Sequence, residues 1–322
     1  MNATRRFSRA SSYALFLMLT ISTMGLSPAI NEPQRNGPIV VLTNSGGSWQ
    51  LYRIDPDGSH FKASTAMAPT TYNDWFPQVS NDGQIAFTYG DGSGPTDIYI
   101  VNVDGTGLWQ FTHDGRSLDA YWSPDGRDLI YETYNPNNGR PSYLVSAPVR
   151  NPSHKTVLTS DLYASWYGLY TPKGRHIIYS TTQGGALSVT SIMDVDGRNK
   201  RPLTDPQPDF CPYSVSPDNK DLLLNDQCNT DLPVTIWQLN LVNSQLNELT
   251  RSSGGSLDLF PTYSPDGNKI AFASNRRHPH SDILDLYVMN ADGTDIRLIK
   301  TRLTIGGCPD INCVTPTWAA QP

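Results

Sequence analysis

Helical periodicity is the first thing this sequence lacks. After the first thirty of its 322 residues no segment keeps a sustained 3.6-residue apolar period, so almost no helix is expected. Charge is sparse at 17%, and the formal balance of −6 provides no basic stripe, which argues against an electrostatic nucleic-acid binder. A short basic run, Arg198-Asn-Lys-Arg201, falls at an expected hairpin and reads as a solvated turn. Cysteine is limited to four residues with no Cys-x-x-Cys pair, so a four-thiolate metal site is the weaker alternative to disulfides. Gly-x-Ser-x-Gly is missing too, and with it the nucleophile elbow of an α/β serine hydrolase. What the chain has in quantity is 25 Gly and 25 Pro beside 38% apolar residues, the makeup of an all-β protein rich in turns.

Those turns recur. Residues 260–274 run Phe-Pro-Thr-Tyr-Ser-Pro-Asp-Gly-Asn-Lys-Ile-Ala-Phe-Ala-Ser, followed by Asp285-Leu-Tyr-Val-Met-Asn-Ala-Asp-Gly293 and Arg297-Leu-Ile299. Short apolar runs bounded by turn residues predict four antiparallel strands, with Pro265 presetting φ and Gly267 taking a left-handed position. One such sheet is too small to fold alone. The same turn returns as Ser80-Asn-Asp-Gly83, Ser123-Pro-Asp-Gly126, Thr171-Pro-Lys-Gly174 and Ser216-Pro-Asp-Asn219, in steps of 43, 48, 45 and 48 residues. Four residues before each turn end stands a bulky or branched side chain: Val79, Trp122, Tyr170, Val215 and Tyr263. A period of this length with four strands per unit is the signature of a β-propeller blade.

Blades are expected over 74–114, 118–160, 165–205, 209–251 and 258–302. Ahead of them, Ile39–Leu42, Gln50–Ile54 and His60–Lys62 give three strands without a first strand, and Thr315-Pro-Thr-Trp318 supplies that strand from the other end of the chain. The prediction is a six-bladed β-propeller of four-stranded blades over 39–322, its first blade closed by the C-terminal strand in a 3+1 arrangement that leaves no exposed edge.

Residues 1–29 read as a signal peptide: Arg5, Arg6 and Arg9, an apolar stretch from Tyr13 to Leu26, and small residues at Ser27 and Ala29 before a cut. An uncleaved anchor is the alternative. Residues 30–38 read as a polar linker, and a periplasmic or secreted location is expected, with no membrane contact beyond the leader. The even cysteine number agrees with export. Cys211 is expected to begin the first strand of a hairpin and Cys228 to end its second, nearly opposite across the ladder, while Cys308 and Cys313 close a short loop. Bridges 211–228 and 308–313 are expected among the three pairings that four cysteines allow.

The pattern Pro-x-Trp/Tyr-Ser-Pro-Asp-Gly, Ile-Ala-Phe, Leu-Tyr-Val-Met-Asn-Ala-Asp-Gly-Thr resembles the TolB-type propeller repeat, nearly completely over 258–299, well over 74–114 and 118–126, and in degraded form over 165–251. The resemblance implies the fold. It does not extend to the N-terminal α/β domain of TolB, and similar repeats occur in propellers attached to serine peptidases and in oligogalacturonate lyases.

Three functions follow from different readings of the loops. An aspartate stands three residues before the proline that opens a blade at Asp74, Asp209 and Asp258, with Trp75, Phe76, Phe210, Phe260, Trp166 and Tyr167 beside these positions and Ser117 and Ser165 in the other blades. If these positions gather at one mouth of the channel, they suit a cationic peptide or a divalent cation. The structural alternative is that each aspartate accepts backbone N–H bonds where its strand starts. Trp122, Trp318, Tyr170 and Tyr263 read as inter-blade core, and Trp75 and Trp166 as exposed loop residues. The favoured expectation is a monomeric, non-catalytic propeller that binds a protein or peptide through Asp74, Trp75, Trp166, Asp209, Phe210 and Asp258, without a cofactor. A metal-dependent carbohydrate lyase or hydrolase is the enzyme alternative. It needs converging histidines, and of the six present the only close pair, His278 and His280, is expected in a surface loop away from the mouth. Asp55/Asp57 and Asp194/Asp196 resemble the start of a calcium loop, but a hairpin turn accounts for them. A structural scaffold bound through the outer blade edges is the third reading.

Overall fold

The computed structural model describes residues 35–44, 50–64, 76–90, 95–135, 140–160, 163–182, 187–206, 208–226, 234–251, 254–281, 283–303 and 315–321. The expected leader, Asp74, Trp75, Cys228, Cys308 and Cys313 lie outside these residues. Among the described residues, 24 strands form six four-stranded antiparallel sheets, and no helix occurs. Five sheets are continuous in sequence, with innermost strands Gln78–Val79, Ser117–Trp122, Ser165–Tyr170, Cys211–Val215 and Asp258–Tyr263 in blades two to six.

The remaining sheet joins both ends of the folded chain. Pro316–Ala320 pairs with Asn36–Thr43, which pairs with Gln50–Ile54 and then Lys62–Ala63. Asn36 lies opposite Ala320, Ile39 opposite Trp318 and Val41 opposite Pro316, with a bulge between Asn36 and Ile39. Gly37 sits in that bulge, where a Cβ would come within 2.8 Å of the Ala320 carbonyl oxygen, so the partner strand approaches too closely for any side chain. Trp318 is 6% exposed and donates its indole N–H to the Gly37 carbonyl at 3.0 Å. The 3+1 closure read from the sequence is the closure observed.

Alternating strand residues put apolar side chains between neighbouring sheets, so the core is divided into inter-blade layers. Ile39, Val41, Phe260, Ala271, Leu286 and Trp318 belong to one layer, and Tyr263, Ile270, Phe272 and Met289 to another. Tyr263 is buried at the repeat's large-residue position, as expected, and Trp122 and Tyr170 pack half-buried against their layers.

The first hairpins of the blades share one construction. Gly83, Gly126, Gly174 and Gly267 have φ of 79°, 68°, 65° and 73°, and Asn219 takes the same place in blade five at 69°. Asparagine is the non-glycine residue that best tolerates this conformation. In three blades the serine donates to the aspartate two residues on, at 2.8 Å for Ser123–Asp125, 2.7 Å for Ser216–Asp218 and 2.6 Å for Ser264–Asp266. The same hydroxyl accepts the backbone N–H that opens the next strand, at 2.9 Å from Asp128, Asp221 and Lys269. Adjacent turns also touch: Asn81 donates to the Pro124 carbonyl at 2.8 Å. These turns make one rim of the ring. The starts of the innermost strands and the connections between second and third strands make the other, the mouth rim.

Candidate functional site

The innermost strands are bulged near their starts, and the bulged residues have an unusual backbone. Asp119, Tyr167 and Phe260 have φ of 50°, 54° and 54°, each seven residues before its turn end. A side chain on a left-handed residue leaves the alternation of its strand. Each bulge is pinned from the preceding blade: Asp119 N–H donates to the Thr88 hydroxyl at 2.9 Å, Tyr167 N–H to the Glu132 carboxylate at 3.0 Å, and Phe260 N–H to the Asn225 side-chain oxygen at 3.1 Å. Blade five has Pro212 at this position, which has no N–H to satisfy, and the next residue, Tyr213, supplies the side chain.

The result is a closed circuit of four rings. Phe76 lies 5.7 Å from Tyr167 and 5.7 Å from Phe260, and Tyr213 lies 5.5 Å from Tyr167 and 5.4 Å from Phe260, centroid to centroid. These residues come from blades two, four, five and six. Blade two is not a neighbour of blade four or blade six, so contact between them is possible only on the ring axis. The arrangement fills the axis at that level with edge-to-face and tilted contacts, the favoured geometry for aromatic pairs.

Acid and hydroxyl groups surround the circuit. Asp119 is 5% exposed and Glu132 4%. Burial pushes the Tyr121, Tyr167 and Tyr213 hydroxyls well above the ordinary tyrosine range, and the nearby Asp119 carboxylate adds to the effect. For Tyr213, a hydrogen bond with Tyr167 offsets part of this rise. All three therefore stay protonated and able to donate at any physiological pH.

The residues singled out in the sequence are placed differently from that axial set. Asp258 lies in the innermost strand of blade six, not in a loop, and is 1% exposed. One Arg276 nitrogen reaches both of its carboxylate oxygens at 2.9 Å, and the guanidinium stacks 5.1 Å from the Phe272 ring and 5.0 Å from the Tyr287 ring. Asp209 is one residue out of register with Asp258, because Cys211, not Pro212, aligns with Leu259 ahead of the bulge. Its carboxylate accepts the Ser188 N–H at 3.1 Å and also the Ser188 hydroxyl. Phe210 is 2% exposed and packs edge-on against Trp237 at 5.9 Å, so it is core. Trp166 is half-buried within the strand Ser165–Tyr170, opposite Ser180, which corrects its reading as a loop residue. The described aspartates thus do not occupy equivalent positions, and each is held by a neighbour.

Another correction concerns His278 and His280. Their loop packs against the residues before Asp258: Leu257 N–H donates to Asn275 at 2.7 Å and His280 N–H to the Gly255 carbonyl at 3.3 Å. The loop therefore belongs to the mouth rim. Elsewhere, His60 bonds Asp55 at 2.8 Å and His176 lies 3.6 Å from Asp194, both where the third strand of a blade turns to the fourth. Among the described residues no three His, Cys, Asp or Glu side chains come together as a ligand set. Cys211 is fully buried at the start of its strand, within 3.8 Å of the Ser180 hydroxyl, and its expected partner lies outside the described residues.

Sequence reasoning noticed Phe76, Tyr167 and Phe260 as rim aromatics and missed Tyr213. Counting back seven residues from each turn end would have grouped the first three with Asp119. The proline in blade five hides the fourth.

Comparison with known proteins agrees with this architecture. The chain is 23% identical over 258 residues to the Tol-Pal system protein TolB of Francisella tularensis subsp. tularensis, covering 79% of this chain and 46% of that one. It therefore spans about half the length of the curated TolB relatives it matches. The crystal structure of TolB from Acinetobacter baumannii superposes with a TM-score of 0.69 at 19% identity, over 88% of this chain and 67% of that one. Oligogalacturonate lyase from Vibrio parahaemolyticus shares the fold at a TM-score of 0.54 and 13% identity, over 87% of this chain and 80% of that one. The sequence profile of the TolB beta propeller domain matches residues 18–214, more than half of the chain, and the chain belongs to that family.

Proposed function

We propose that this protein is an exported, non-catalytic propeller whose mouth rim binds a protein or peptide partner in the periplasm or outside the cell. The observation that carries this reading is the filled axis. With four rings in mutual contact, the mouth ends in an aromatic floor, and a partner segment meets a bowl of ring edges, tyrosine hydroxyls and backbone groups. Surfaces of that kind supply recognition: rigid aromatics give contact area at low entropic cost, and protonated hydroxyls give directional bonds. The relatives named as Tol-Pal system proteins support an envelope setting. The paired aspartates narrow the site. Asp258 is already matched by Arg276, so Asp209, Trp166 and the exposed Arg277 are the better rim candidates beside the floor; Asp74 and Trp75, singled out by the sequence, complete the proposed set and lie outside the described residues. Disulfides 211–228 and 308–313 and a monomeric state belong to the same proposal.

The fold shared with oligogalacturonate lyase keeps a carbohydrate lyase as the competing reading, and histidines spread over separate blades and rims give it little support. Site-specific photocrosslinking separates the readings. Probes at the exposed mouth positions 208 and 277 are expected to give discrete adducts in envelope extract, and probes at the outer-edge positions 157 and 246 none. Adducts at the outer edges alone would establish the scaffold instead, and release of unsaturated sugars from pectic oligomers by the purified protein would establish the lyase.

A further inference from the structure

A cleft opens between blades three and four, away from the axis. It has a volume of about 160 Å³ and is lined by Thr159, Ser160, Tyr163, Ser165, Tyr179, Thr181 and Lys200. Among the described residues the composition is one-sided: six of the seven lining residues carry hydroxyls, the seventh carries an ammonium, and none carries a carboxylate. Apolar packing does not require this. The layer between the same two blades is otherwise built of Ile130, Leu144, Leu158, Ile177 and Met193, and the Tyr179 ring packs among them.

Four of the lining residues are built into the fold. Thr159, Ser165, Tyr179 and Thr181 are 5%, 2%, 2% and 3% exposed. The Thr159 oxygen accepts the Leu144 N–H at 2.8 Å, which leaves its own hydroxyl hydrogen to donate elsewhere. Ser165 lies 3.5 Å from Thr181, at the outer limit for a hydrogen bond. Tyr179 is the telling member. As a residue it is almost fully buried, but its hydroxyl is not one of the enclosed polar atoms that lack a partner, and the residue lines the cleft. A tyrosine whose ring is held in the core and whose hydroxyl is open to a cleft presents a fixed donor to a ligand or an ordered water there. Burial pushes this hydroxyl up to about 12, so it donates throughout the physiological range. Lys200 donates to the Gly197 carbonyl, and among the described residues no carboxylate pairs with it.

We propose that this cleft is a binding site for a small oxyanion, the ligand accepting hydrogen bonds from Tyr179, Thr159 and Lys200. Several donors around one positive charge, with no carboxylate among the described lining residues, match a phosphate or carboxylate group. Size narrows the class. Sites for drug-sized molecules and cofactors run to roughly 300–1,000 Å³, so this cleft holds a compact anion or a single anionic headgroup rather than a nucleotide. Ser165 and Thr181 place one wall of the cleft at the mouth rim of blade four, so the assignment is tested on the purified chain with no partner present.

Isothermal titration of the purified full chain at low ionic strength tests the assignment, with inorganic phosphate, acetate and neutral glucose as separate titrants. Saturable binding of phosphate or acetate is expected, and the tighter of the two identifies the oxyanion. Losing a charged donor costs about 1.5–3 kcal/mol, so Lys200→Gln should weaken binding roughly tenfold or more. Tyr179→Phe keeps the ring and should weaken binding about fivefold. Circular dichroism and thermal melts of both variants confirm that the fold is kept. No saturable anion binding, unchanged affinity in Lys200→Gln, or glucose binding as tightly as either anion would each overturn the proposal.

Discussion

On the turn rim, blades three, five and six close their first hairpins with the same serine–aspartate bond and the same left-handed residue. On the mouth rim blades four, five and six are each finished differently. Blade six uses a buried Asp258–Arg276 pair, blade four a Ser165–Thr181 contact, and blade five an Asp209–Ser188 bond displaced by one residue. The turn rim is constrained by the repeat itself, because each hairpin must reverse the chain in four residues and meet its neighbour. The mouth rim carries only the weaker requirement that strands begin, and there the blades diverge. In a repeat protein, the rim on which the blades diverge more is where recognition can be built at least cost to the fold.

Substitutions can break that contrast, and the largest effect should come from the closure on which both rims depend. Trp318→Ala removes a buried indole and its bond to Gly37, and a loss of about 3–5 kcal/mol in denaturant unfolding is expected. On the mouth rim, Arg276→Met leaves Asp258 buried without its partner. The full penalty for such a break is about 3–5 kcal/mol, and the partial exposure of Arg276 at 26% should reduce it toward the lower end. Asp258→Asn in the same background should recover part of the loss. If Arg276→Met is silent, the pair is not a structural device and Asp258 returns to the list of recognition residues.

How far the sequence could be read follows the same division. The Ser-Pro-Asp-Gly turns, the steps between them and the orphan strand at Thr315–Trp318 all report local requirements, and these gave the blade count, the ring and its closure. The axial circuit was not legible, because it depends on contacts between residues as far apart as Phe76 and Phe260. Nothing local in Cys211-Pro-Tyr213 says that the tyrosine replaces the bulged residue. The rim aspartates misled for a related reason: spacing from a proline is a poor ruler when one blade places that proline a residue away from the others.

Smaller effects test the turn rim. Gly267→Ala places a side chain at φ 73° and 3.3 Å from Pro217, and a loss of roughly 1–2 kcal/mol is expected from thermal melts. Blade five has lost the second glycine turn, and Ser244 there sits at φ 60°. Ser244→Gly should therefore leave stability unchanged or raise it by up to about 1 kcal/mol, the reverse sign from Gly267→Ala.

The smallest expected effect is a slope with pH. The Ser123 hydroxyl holds Asp125 below the usual carboxylate range. Burial pushes Asp266 up, but bonds from Ser264 and Asn268 outweigh it and leave Asp266 lowered as well. Carboxylates lowered by folding stabilise the folded state above their unfolded values near pH ~4, and that contribution is lost as the pH falls through the lowered values. The melting temperature should fall from pH 6 to pH 3, and less steeply in Ser264→Ala than in the wild type. Equal slopes would mean that the serine–aspartate bond fixes geometry without adding stability.

The clasp in blade one also has a mechanical meaning. Asn36 and Ala320 face each other at the same end of their ladder, so a load drawing these two residues apart pulls the strands open like a zip, one rung at a time. Ladders stretched along their length must instead lose all their rungs together. A ring fastened in this way yields at a known seam under modest tension, and the other five sheets stay intact while it does.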